Sequence, residues 1–197
     1  MRTSIRARLL LVGAFIIVEL EAGGQQLPNP AKQTASFLEI ALVYNQQMSN
    51  IVAGNSFWME GGSIQVDGQF WRGLSAVADV SGAHTASASN SGPGLDLITA
   101  AFGPRYTWTP AHRRYAFFGQ ALAGEANGLH SVFPNPAGAS DSANSLAVQL
   151  GGGINISLKS NLAIRVLDAD WLRTQMPNAT TNVQNNLRLG AGIVIRR

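Results

Sequence analysis

The sequence contains no cysteine, which excludes disulfides and thiolate metal sites. Charge is scarce as well. Asp, Glu, Lys and Arg make up 13% of the 197 residues, against about 25% in typical soluble domains. Past the N-terminal segment, no run approaches the roughly 18 apolar residues of a membrane helix. Mean hydropathy is nevertheless +0.07, so apolar residues are numerous but dispersed. The formal charge of +3 and the pI of 9.8 reflect a modest cationic surplus without a basic patch. That gives nucleic-acid binding no support and implies no particular acidic partner. Glycine is the residue in excess, with 21 copies where average usage is about 7%.

The N-terminus, MRTSIRARLLLVGAFIIVELEAGG, has the layout of a secretory leader over 1–24. Arg2, Arg6 and Arg8 form a basic start, Leu9 to Val18 a short apolar stretch, and Ala22-Gly23-Gly24 a small-residue cleavage site. The alternative is an anchor helix, for which the apolar part is short. With Arg2, Arg6, Arg8, Glu19 and Glu21 removed, the mature charge falls to +2. A flexible segment over 25–35 is expected before the first strand, and 36–197 forms the folded domain.

The stretch SLAVQLGGGINISL (145–158) is apolar at every second position. Leu146, Val148, Leu150, Ile154, Ile156 and Leu158 share one face, while Gln149, Gly151, Gly153, Asn155 and Ser157 share the other. A period of two is a strand. Eight such strands are expected, at about 36–46, 57–66, 69–83, 95–109, 113–126, 145–158, 162–174 and 183–197. Asp67-Gly68 is a strong hairpin signal. Pro110-Ala111-His112 and Lys159-Ser160-Asn161 supply two further short connections. The other connections are longer and rich in Ser, Asn, Gly and Pro, as in GLHSVFPNPAGASDSAN.

Long loops at one end and short turns at the other are the layout of a transmembrane barrel. Its strands need only about 9–11 residues each, and closure leaves no unpaired edge in lipid. The expected fold class is therefore all-β, a closed eight-stranded antiparallel up-and-down transmembrane barrel. The apolar face points outward to lipid. The Gly, Ser, Asn and Gln face lines an interior too narrow for a wide pore.

A charge facing lipid at midplane costs roughly 2–4 kcal/mol for Arg, so the chain's strand-borne ions should face inward and pair. Glu39, Glu60, Asp79, Arg105, Arg165, Asp168, Asp170 and Arg188 lie on or near the polar parity. Arg165 and Asp168 have opposite parity, which calls for a β-bulge near Val166–Leu167. Such a network can serve as a gated ion path or as a structural plug of salt bridges, and the plug is the default. Tyr44, Tyr106, Trp108, Tyr115 and Trp171 are candidate interfacial aromatics, against the plainer reading of β-propensity.

With FGPRYTW (102–108), FFGQALAG (117–124), DADWLRTQ (168–175) and QNNLRLGAGIVIRR (184–197), the chain resembles small OmpA-like outer-membrane β-barrel proteins. The resemblance covers 36–197. It implies residence in the outer membrane of a Gram-negative-type bacterium, contact with outer-membrane lipids and insertion by the barrel-assembly machinery. The chain ends Ile195-Arg196-Arg197, where such barrels place an aromatic, so a degenerate assembly signal is expected. No peptidoglycan-binding domain is expected to follow.

The function that these observations favour is structural, with extracellular contact through the long loops, no cofactor and no assigned metal. His84 and His130, both on the long-loop side, leave a surface metal site open, with exposed loop histidines the default. Two alternatives stay open. One is a lipid-modifying enzyme using rim residues such as His84, Ser87, Glu125 and Ser131, although no spacing singles out a triad. The other is a soluble ligand-binding barrel with its apolar face inside.

Overall fold

The computed structural model describes residues 38–51, 56–88, 92–110, 114–136, 138–178 and 180–197. The expected leader, the segment over 25–35 and His112 lie outside the described residues. Eight strands follow one another: β1 (Leu38–Ser49), β2 (Phe57–Trp71), β3 (Leu74–Thr85), β4 (Leu95–Trp108), β5 (Tyr115–Asn135), β6 (Gly138–Lys159), β7 (Leu162–Thr174) and β8 (Gln184–Arg196).

Each strand pairs antiparallel with its neighbour, and β1 closes on β8 with Leu42 opposite Ile193. Leu38 and Arg197 exchange backbone hydrogen bonds of 3.0 and 2.9 Å at the seam. Closure pairs the outermost strands with each other, which is the condition for placing a sheet in hydrocarbon. One end carries the β2–β3, β4–β5 and β6–β7 connections with both strand termini, here the short-turn end. The opposite end is the long-connection end.

The alternation has inverted polarity. On β6, Leu150 is 46% exposed while Gln149 is fully buried. On β4, Ile98, Phe102, Tyr106 and Trp108 stand outside, and Thr99 and Arg105 stand inside. On β7 the register slips between Arg165 and Asp168. Val166 and Leu167 both face out there, so Arg165 and Asp168 both face in. Such a bulge spares either charge a position in lipid.

Three boundaries differ from the sequence reading. The first hairpin turn is Arg72-Gly73, not Asp67-Gly68, and β2 runs on to Trp71. Arg72 and Gly73 have φ of 25° and 87°, the pair of positive values that a type I′ turn needs. Asp67 cannot sit at a turn because its carboxylate is drawn inside, where Ser75 and Arg105 hold it.

The connection expected over 127–144 is instead a hairpin. β5 and β6 reach 21 and 22 residues and pair up to Asn135 and Gly138, well beyond the roughly 9–11 residues needed to span lipid. Phe133, turned inward and buried, anchors this extension. Finally, β3 starts at Leu74, not at residue 69.

Candidate functional site

The interior is the site, and it is built in layers. At the short-turn mouth, Arg196 from β8 reaches Glu39 on β1 at 2.5 Å and Ser157 on β6 at 2.7 Å. These residues line a cavity of about 820 Å³ that reaches inward as far as Asp67 and Ser75.

Above it lies the ionic layer, which gathers Asp79, Arg105, Arg165, Asp168, Asp170 and Arg188. Arg188 Nη2 donates to Asp79 and to Asp170, both at 2.8 Å. Arg105 donates to Asp67 at 3.1 Å, and Arg165 donates to Asp168 at 3.0 Å. Amides join these pairs into one network. The Gln65 amide donates to Asp79 at 3.0 Å and to Asp168 at 3.2 Å. Its carbonyl accepts from both Arg105 and Arg165. Gln120 links Arg105 to Asp170, and Asn155 accepts from Arg165 at 3.0 Å.

The guanidinium groups of Arg105 and Arg165 both lie against the Phe118 ring, each 4.4 Å from its centroid. Guanidinium over an aromatic face is attractive, more so without water, so Phe118 helps to hold two like charges in one layer. The bare glycines on this face now have a reason. A Cβ on Gly151 would collide with the Asp170 carboxylate, and one on Gly153 with the Phe118 ring.

The upper interior, toward the long-connection end, is apolar. Met59, Leu95, Leu97, Ala126, Phe133, Ala147, Leu172 and Met176 form one buried cluster. Gln184 pins it from above, bonding both the N–H and the carbonyl of Met176 at 2.8 Å.

Not every expected residue takes part. Glu60 is the correction: β2 alternation puts Met59 inside and Glu60 on the exposed outer face. Glu39 is inward but pairs at the mouth, apart from the central network. Asp67, Gln65, Gln120 and Phe118 were missed. Gln65 and Asp67 share parity with Ser63, yet the Asp-Gly turn signal hid that. In the Phe117-Phe118 pair, the inward ring is the second.

Among the aromatics, Tyr106, Trp108 and Tyr115 sit on the outer face at the short-turn end. Phe117 joins them, stacked on Trp108 at 5.7 Å and edge-on to Tyr115 at 5.5 Å. Trp171 lies toward the other end of β7. Tyr44 is not at a strand end but midway along β1, opposite Gly62 and Ala191.

No family model and no curated protein sequence matches the chain. Solved structures do. Neisserial surface protein A is 12% identical, with a TM-score of 0.65 over 80% of this chain and 96% of that one. Ail, the attachment invasion locus protein of Yersinia pestis, in complex with the heparin analogue sucrose octasulfate, is 16% identical. Its TM-score is 0.53 over 81% of this chain and 99% of that one. Identities this low establish the fold, and the outward apolar belt is the surface by which such a barrel meets lipid. By fold, this chain is a closed, eight-stranded antiparallel β-barrel, similar to the barrels of these two proteins.

Proposed function

We propose that the chain is a sealed outer-membrane barrel whose role is structural and surface-contacting, neither a diffusion pore nor an enzyme. One observation carries this reading: the interior is filled by two successive layers, the Arg–Asp network and the apolar cluster. A channel for solutes needs a continuous polar lumen, and eight strands enclose little more than side chains. The paired β5–β6 extension projects at the long-connection end, which we assign to the cell exterior. The barrel-assembly machinery would insert the chain, and outer-membrane lipids would cover its belt.

Planar-bilayer recording tests the seal. No stable conductance large enough for sugars is expected, and a steady sugar-permeable pore would overturn the proposal. Sidedness is tested with single cysteines at Val132, near the tip of the β5–β6 hairpin, and at Arg72, in the β2–β3 turn. On intact cells, an impermeant maleimide should modify the first alone. Labelling of the second alone would reverse the assigned orientation.

A further inference from the structure

On the outer face, toward the long-connection end, four side chains of metal-ligand type lie side by side on four consecutive strands. Glu60 on β2 is opposite His84 on β3, and His84 is opposite Asp96 on β4. Asp96 is opposite Leu129, the residue before His130 on β5. Residues opposed on one face of an antiparallel pair have Cβ atoms about 4.5–5.5 Å apart.

The row is already drawn together. Asp96 Oδ1 meets His84 Nδ1 at 2.5 Å, and Asp96 Oδ2 meets His130 Nδ1 at 2.5 Å. His130 reaches it by an unusual backbone. Its φ is +57°, at the irregularity where β5 slips against β6 between Leu129 and Phe133. Residues other than glycine seldom adopt that conformation, so the chain departs from regular pairing where this imidazole is presented. Both rings are largely open to solvent, at 67% and 78% exposure.

We propose that Glu60, His84, Asp96 and His130 form a binding site for a divalent cation of the zinc class at the rim of the barrel. Two imidazoles with carboxylate oxygen suit borderline ions such as Zn²⁺. Calcium and magnesium prefer shells made wholly of oxygen. Among the described residues the trio is closed by hydrogen bonds, with no three such groups spread around a common centre. Ligands about 2.1 Å from a tetrahedral ion stand roughly 3.4 Å apart, so each contact must open by about 1 Å. Exposed side chains can make that adjustment by rotation.

A neutral ring keeps its single proton on entry of the ion: the proton moves from Nδ1 to Nε2 by exchange with water, and Nδ1 takes the metal. A protonated ring must first lose one, so acid opposes binding. Near the row, Glu125 on β5 and Asp141 on β6 are further exposed carboxylates. They raise the local affinity for a cation.

The test is calorimetric titration of the untagged mature barrel, folded in detergent, with zinc chloride alone. One equivalent should bind at about pH 7.5, and acid should weaken binding because a metal-bound imidazole must be neutral. His84→Gln and His130→Gln should each weaken it by about tenfold or more, and His112→Gln should change nothing. Calcium chloride should give no comparable heat. Heat-modifiable gel migration reports whether each variant is folded. X-ray absorption of the zinc-loaded wild type gives an independent readout, with nitrogen from two imidazoles expected in the first shell. Wild-type affinity in the folded His84→Gln and His130→Gln variants, calcium binding equal to zinc binding, or an all-oxygen shell would each overturn the site.

Discussion

The lower and upper halves of the barrel interior are both built from inward-facing residues, yet they hold opposite materials. Below, Arg105, Arg165 and Arg188 share Asp67, Asp79, Asp168 and Asp170 through Gln65 and Gln120. Above, Met59, Leu95, Leu97, Phe133, Leu172 and Met176 pack without a charge among them. Both halves are filled with side chains, held there by different physics. Directional charge-assisted bonds fix which groove each side chain enters. Apolar packing needs only complementary volume. A charge network therefore fails as a unit, whereas an apolar cluster loses contact area piece by piece.

That contrast can be broken by substitution. Arg188→Ala leaves the Asp79 and Asp170 carboxylates without their countercharge in a desolvated layer, while the Gln65 and Gln120 amides still donate to them. The loss expected is about 3–5 kcal/mol, read from denaturant unfolding of the bilayer-reconstituted barrel by tryptophan fluorescence. A loss well under about 1 kcal/mol would mean that water already solvates the layer, in keeping with the small value of solvated ion pairs.

Leu172→Ala in the upper half should cost about 2–4 kcal/mol through a cavity, measured the same way. It should not weaken further when combined with Arg188→Ala beyond the sum of the two, because separate clusters add. Strong coupling between them would merge the two halves into one unit.

Gly151→Ala, which thrusts a methyl into Asp170, should cost about 1–3 kcal/mol by overpacking. A neutral outcome in the same unfolding assay would show that Asp170 can move without loss.

The smallest effect belongs outside the barrel. The Asp96 carboxyl is held below its ordinary value of 3.8, chiefly by hydrogen bonds to His84 and then to His130. A depressed carboxyl contributes stability above its unfolded value and loses it as pH falls through the lower folded value. The stability gap between wild type and Asp96→Asn should therefore shrink as pH drops below 3.8. Denaturation midpoints in chelator across that range check it, and a gap independent of pH would remove the contact as a stabiliser. Because Asp96 is solvated, the gap is small.

Much of the architecture was legible because alternation is a strict code: outward Leu150 beside inward Gln149 follows from counting by two. The bulge at Val166–Leu167 was legible for the same reason, since two inward charges of opposite parity need an extra residue between them. Asp67 and Glu60 show where the code falters. Asp67-Gly68 is good turn chemistry, and local sequence cannot show that Arg105, thirty-eight residues away, competes for the same carboxylate. Glu60 belongs to WMEGGS, where Trp58, Met59 and two glycines give no clear polar face. The apolar upper interior was missed because Leu95, Leu97 and Leu172, taken singly, suit either face of a strand.

The sequence by itself determined the eight strands, their inside-out polarity and the confinement of most strand-borne charge to the interior, because lipid tolerates neither unpaired backbone nor bare ions. Only the closed barrel decided partners. Which arginine answers which aspartate, where the polar lumen gives way to an apolar one, and how His84 meets His130 across Asp96 depend on the register between strands. That register places residues far apart in the chain within a few ångströms, a relation that no short window of sequence contains.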